Sequence, residues 1–112
     1  MKSKLFTDTY QTGLLKMRLG WNPVSTDPAT QTKCFSLSDI ADTLLPRRIR
    51  IKNTLFWLSC AAVAEDEDVR WDARYENIEA DDWAFESQAG NLIDALVELA
   101  LSLHEYSNEF TC

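Results

Sequence analysis

At 112 residues and 46% hydrophobic content, the chain is long enough for one domain with a real core and too apolar to be disordered. Eleven Lys/Arg face eighteen Asp/Glu, a formal charge of −7 that disfavours anionic membrane surfaces and direct nucleic-acid binding. The charge is unevenly placed: residues 1–64 hold nine cations and four carboxylates, whereas 65–112 hold two arginines and fourteen carboxylates.

The first residues, Met1-Lys2-Ser3-Lys4, are basic, but no apolar stretch follows, so no signal peptide is expected and the cytoplasm is the expected compartment. Thr7 is the expected N-cap of a helix over 8–19, with Tyr10, Leu14, Met17 and Trp21 as its apolar stripe and Gly20 ending it. Residues 22–35 are polar and contain two prolines, which predicts a loop. A short helix follows, capped by Ser36 or Ser38 and carrying Leu37, Ile40, Ala41 and Leu44, with Pro46 beyond it.

Arg48-Ile49-Arg50-Ile51-Lys52 alternates with a strand period, but Leu55–Ala64 is apolar on every side and Ala-rich, as a buried helix would be. That run is too short to span a bilayer. Residues 65–86 carry ten carboxylates, Arg70 and Arg74, with Trp71, Tyr75, Trp83 and Phe85 between them. Val69 to Glu76 alternates strictly, as a half-buried strand does. The helical register extends further, with Asp68, Asp72, Glu76, Glu79, Asp82 and Glu86 on one side, and is the one adopted. The last helix, over 88–106, has so wide an apolar face that it is either a central core element or the seam of a homodimer. The expected fold is therefore mainly α: a single domain, 1–112, built as a small bundle of about 4–5 helices. The alternative to the helical register is one short β-hairpin involving 48–52 and 69–76.

Signals of catalysis are absent from the sequence. No nucleotide-binding, nucleophile-elbow or zinc-protease motif occurs, and the single histidine, His104, sits at a helix end where a cation favours the dipole. Cys34, Cys60 and Cys112 are odd in number and widely spaced, so neither a zinc site nor a disulfide framework is expected. Cys60 reads as a small buried residue and Cys112 as an exposed one. Glu65–Glu76 has the length of a calcium loop but offers Val69 at a ligand position and Arg70 where the turn needs glycine. No enzyme activity, cofactor or metal is expected.

What remains is the acidic, aromatic-bearing block. Carboxylates around aromatic anchors form a surface suited to a basic partner. In the helical register they would run about 27 Å, with neighbours about 5–6 Å apart, of the same order as phosphates along DNA. In composition the chain resembles small acidic inhibitors such as immunity proteins, antitoxins and phage-encoded inhibitors of host defence, with no motif in common. The expected function is blockade of a basic, nucleic-acid-handling surface of a partner protein, with Asp68, Trp71, Asp72, Glu76, Glu79, Asp82 and Trp83 as contacts. The alternatives are a small DNA-binding or transcription-associated regulator using Arg47, Arg48, Arg50 and Lys52, and an accessory subunit docking through 88–106. The four basic residues are otherwise expected to pair with the chain's own carboxylates.

Overall fold

A computed structural model describes residues 4–105. They form not a helical bundle but a mainly β fold with two helices. Helix α1 (Thr9–Leu19) is followed by a small hairpin, β1 (Ser25–Thr26) and β2 (Lys33–Cys34). A single wide π turn over Asp39–Leu44 leads into β3 (Arg48–Ile51), β4 (Thr54–Glu65), β5 (Asp68–Asn77) and β6 (Asp82–Ala89). These four strands make one antiparallel meander in the order β3-β4-β5-β6, and helix α2 (Leu92–Glu105) packs on one face of it. The molecule is only 19 Å thick, as two layers require.

Helix α1 begins one residue later than expected. Asp8 is the cap: its Oδ1 accepts from Gln11 N at 2.8 Å, and the Gln11 side chain accepts from Asp8 N at 3.1 Å. Gly20, with φ +71°, closes the helix in the left-handed region. The face turned inward is Thr12, Leu15 and Leu19; the expected stripe is not buried, because Tyr10 and Met17 are both exposed. Thr7 serves the tertiary fold instead, meeting Thr12 Oγ1 at 2.7 Å and accepting from Phe35 N at 3.0 Å.

The expected loop over 22–35 contains the β1–β2 hairpin. Asp39 secures it, accepting from Ser25 Oγ at 2.6 Å and from Ser36 N at 3.0 Å, while Ser36 Oγ accepts from Asp39 N at 3.0 Å. Burial alone would raise the Asp39 carboxyl, but these hydrogen bonds outweigh it and hold the group below the usual carboxylate value. The expected short helix becomes the π turn, which Leu45 N closes on Ile40 O at 2.9 Å.

The largest departure is over 47–86. Strand β4 occupies the stretch read as a buried helix, and 65–86 is a hairpin pair rather than an acidic helix. Two tight turns supply the cause. Lys52 and Asn53 both have positive φ, +48° and +72°, which is the backbone of a two-residue hairpin joining β3 to β4. Asp66 at φ +51° turns β4 into β5. Side-chain electrostatics agree. A helix would stack Asp68, Asp72 and Glu76 on one another, whereas the strand sets Arg70 beside Glu65 and Asp72, and Arg74 beside Glu76 and Glu86. Arg48–Ile51 and 69–76 are both strand, with Lys52 in the turn, yet they do not pair with each other, because β4 lies between them.

The core sits between sheet and helices. Ile49, Phe56, Ala73 and Tyr75 from the sheet meet Leu15 of α1 and Ile93, Leu96 and Leu99 of α2. The Tyr75 hydroxyl donates to Pro46 O at 2.7 Å, which satisfies the one polar atom of that large ring and ties down the entry to β3. Helix α2 lies within the expected 88–106; Tyr106 is outside the described residues, as is Cys112.

Candidate protein-binding surface

Alternation along the strands divides the side chains between the helix-covered face and an open one. Odd-numbered residues of β5, Trp71, Ala73 and Tyr75, face the core with α2; even-numbered ones, Arg70, Asp72, Arg74 and Glu76, face outward. On β4 the partners of that outward set are Val63, Ala61, Ser59 and Trp57.

One row crosses all four strands on the open face. Arg48 of β3 is paired with Trp57 of β4, Trp57 with Glu76 of β5, and Glu76 with Trp83 of β6. Trp57 is 49% and Trp83 51% exposed. Each indole carries a guanidinium: Arg48 lies 5.7 Å from the Trp57 ring centroid and Arg74 lies 4.9 Å from that of Trp83. Arg74 is held in turn by Glu86 at 3.0 Å and Glu76 at 2.9 Å, so the Trp83 ring rests on an anchored cation.

Beyond this row the chain turns between β5 and β6. Asn77 shapes the turn, with its amide donating to Leu55 O at 3.0 Å and its carbonyl accepting from Ala80 N at 2.9 Å. Asp81, at φ +51°, completes it. Ile78 at its apex is 81% exposed, and Glu79, Asp81 and Asp82 are exposed with no ion pair among the described residues.

The expected contact residues are therefore dispersed. Glu76 and Trp83 share one end of the open face, and Glu79 lies in the turn beyond it. Asp82, paired with Asn77 and next to Trp83, falls on the alternate side of β6, while Asp68 lies at the far end of β5 in the tip between β4 and β5. Asp72 is in the middle, accepting from Arg70 Nε at 2.8 Å. Trp71 is on the opposite face, packed against the core, and cannot share a contact surface with Trp83. The even spacing that likened the carboxylates to phosphates belonged to the helical register. Along a strand Asp68, Asp72 and Glu76 are about 13 Å apart.

Arg47, Arg48, Arg50 and Lys52 are all exposed on or beside β3, and none forms an ion pair among the described residues. The expected neutralisation by the chain's own acids does not occur: the paired carboxylates of the acidic block use Arg70 and Arg74. Helix α2 buries Ile93, Leu96, Leu99 and Leu103 inside this chain. Cys34 is buried as well, and burial followed by Asp27 pushes its thiol up, away from the reactive thiolate. Cys60, read as buried, is exposed.

Sequence reasoning missed Trp57, which it placed in a buried helix, and did not single out Ile78. The signal available was the alternation over 48–52 and 69–76, which places Arg48 outward and Glu76 on the face opposite Tyr75. Among the described residues no group of His, Cys, Asp and Glu could hold a metal ion, and no helix is long and apolar enough to cross a membrane. The chain matches no family model, and neither curated proteins nor solved structures contain a match to it.

Proposed function

We propose that this protein is a non-enzymatic binding protein that covers a basic surface of a partner protein, in the manner of an immunity, antitoxin or anti-defence inhibitor. The observation that carries the reading is the pair of half-exposed indoles, Trp57 and Trp83, flanking Glu76 beside the acids Glu79, Asp81 and Asp82, which form no ion pair among the described residues. Large aromatic rings already ordered by stacked arginines lose little entropy on docking, and tryptophan is among the usual interface anchors. The acidic turn beside them accelerates encounter with a cationic surface and disfavours acidic ones. A basic site that handles nucleic acid meets that description.

The test is affinity capture of partners from the native host with wild-type protein and with a Glu79→Lys/Asp82→Lys variant. Wild-type capture should weaken steeply as salt rises, and the reversal should lower affinity by tenfold or more. Trp83→Ala should cost about 2 kcal/mol of binding, near thirtyfold, if the indole is an anchor. Binding that ignores both salt and charge reversal overturns the electrostatic mechanism.

One observation favours a second reading. The exposed cations Arg47, Arg48, Arg50 and Lys52 on and beside β3, without carboxylate partners among the described residues, suit a small DNA-binding regulator. A low-salt gel-shift on mixed duplex DNA separates the two: retardation at micromolar protein favours the regulator, and none favours the protein-binding reading.

A further inference from the structure

Strand β3 covers only the first part of β4. Their register runs from Ile51 opposite Thr54 to Arg48 opposite Trp57, and the Leu58 N–H still reaches Arg47 O at 2.8 Å. From there to Glu65, β4 is paired with β5 on one side, without a bulge, and with no strand on the other among the described residues. Since the Leu58 N–H points to the β3 side, alternation points the main-chain groups of Cys60, Ala62 and Ala64 the same way. Cys60, Ala61, Ala62 and Ala64 are exposed. Monomeric proteins guard such an edge with lysine, proline, a bulge or a covering segment, and this one carries none of the first three.

We infer that this edge is a dimer interface, with two copies of the chain pairing antiparallel through Ser59–Glu65 to make one continuous eight-stranded sheet. A twofold axis at Ala62 sets Cys60 opposite the partner's Ala64 and closes about six main-chain hydrogen bonds. Charge selects a second copy as the occupant. The β4–β5 tip carries Glu65, Asp66, Glu67 and Asp68 with Arg70 as its one paired cation. Antiparallel pairing brings that tip against the start of the other copy's β3, where Arg47 and Arg48 have no carboxylate partner among the described residues. A shallow cavity of about 320 Å³, lined by Arg47, Trp57, Leu58 and Cys60 together with Ala41 and Asp42, opens at that point and can receive the turn. The twofold axis repeats the contact at both ends. This interface borders the binding surface proposed above at Arg48 and Trp57 and leaves Glu76, Glu79 and Trp83 outside it, so Ala62→Pro reads dimerisation and Trp83→Ala reads partner capture.

Sedimentation equilibrium of the full chain at sub-millimolar concentration tests it. Wild-type protein should weigh as a dimer. Ala62→Pro should weigh as a monomer with an unchanged circular dichroism spectrum, because the N–H it removes points to the free edge, where proline is tolerated. Arg47→Glu should weaken the dimer tenfold or more, and adding Glu67→Arg should restore it. This second pair of variants leaves β4 unaltered and keeps the inference testable if the proline variant unfolds. A monomeric wild type, or a dimer indifferent to both Ala62→Pro and Arg47→Glu, overturns the inference.

Discussion

Asp94 is the residue on which the chain's first and last segments converge. Its Oδ1 accepts from Lys4 Nζ at 2.8 Å and from Gln11 Nε2 at 2.6 Å, and its Oδ2 accepts from the Asn91 amide at 2.9 Å. Burial opposes the charged form, but these three donors outweigh it and hold the carboxyl below its ordinary value of 3.8. A carboxyl depressed in the fold stabilises above its unfolded value and loses that contribution as pH falls through the folded one. Asp94→Asn should therefore cost about 1 kcal/mol at neutral pH, the pair with Lys4 being partly solvated, and the cost should shrink below about pH 4. Urea unfolding of both proteins at pH 7 and pH 3 checks it; a gap that widens in acid contradicts the assignment. Nothing in the sequence pointed to this tie, because Lys4, Gln11 and Asp94 are brought together only by the packing of α1 on α2.

At the scale of elements, the turns decided what periodicity left open. Leu55–Ala64 offers helical material by composition, since three of its residues are Ala and two are Leu. It is a strand because the turns at Lys52-Asn53 and Asp66 return the chain on itself twice, and β5 offers it nine residues of continuous pairing. Asn53 tolerates its φ of +72°, whereas a β-branched residue does not. Asn53→Val should thus destabilise the protein by about 1–3 kcal/mol in thermal or denaturant melts, with Asn53→Gly close to neutral. Equal stability of the two variants would remove the turn from the argument. The alternation at 69–76 was legible and correct as a strand signal. The competing helical register looks longer only because residues 78–82, a turn and the first residue of β6, happen to continue it.

For the molecule as a whole, one layer of helix covers one face of the sheet and, among the described residues, leaves the other open. The arrangement predicts where mutation is costly. Leu96, fully buried between α2 and the sheet, should lose about 2–5 kcal/mol on truncation to Ala. Met17, which helical periodicity nominated for the core, is 87% exposed, and its truncation should stay within about 0.5 kcal/mol. Denaturant melts of the two variants distinguish the observed packing from the stripe read in the sequence. Single-layer cover also explains the open face itself: α2 packs against β5 and β6, α1 packs against α2, and among the described residues no third element covers the Trp57–Glu76–Trp83 row.

Composition and pattern were enough to determine a single domain-sized chain, an apolar C-terminal helix, an acidic excess concentrated in 65–86 and the lack of recognisable catalytic motifs. These are local or summed properties, which survive without knowledge of what packs on what. Whether 54–65 and 65–86 were helix or strand depended on pairings between residues far apart in sequence, such as Trp57 with Glu76, and on turns that need positive φ. So did the fate of the charges. Arg70 and Arg74 neutralise their strand neighbours, while Arg47 and its companions on β3 and the acids of the two turns stay without ion-pair partners among the described residues. Charge content was written in the sequence, but which charges remain free for a partner is a property of the sheet.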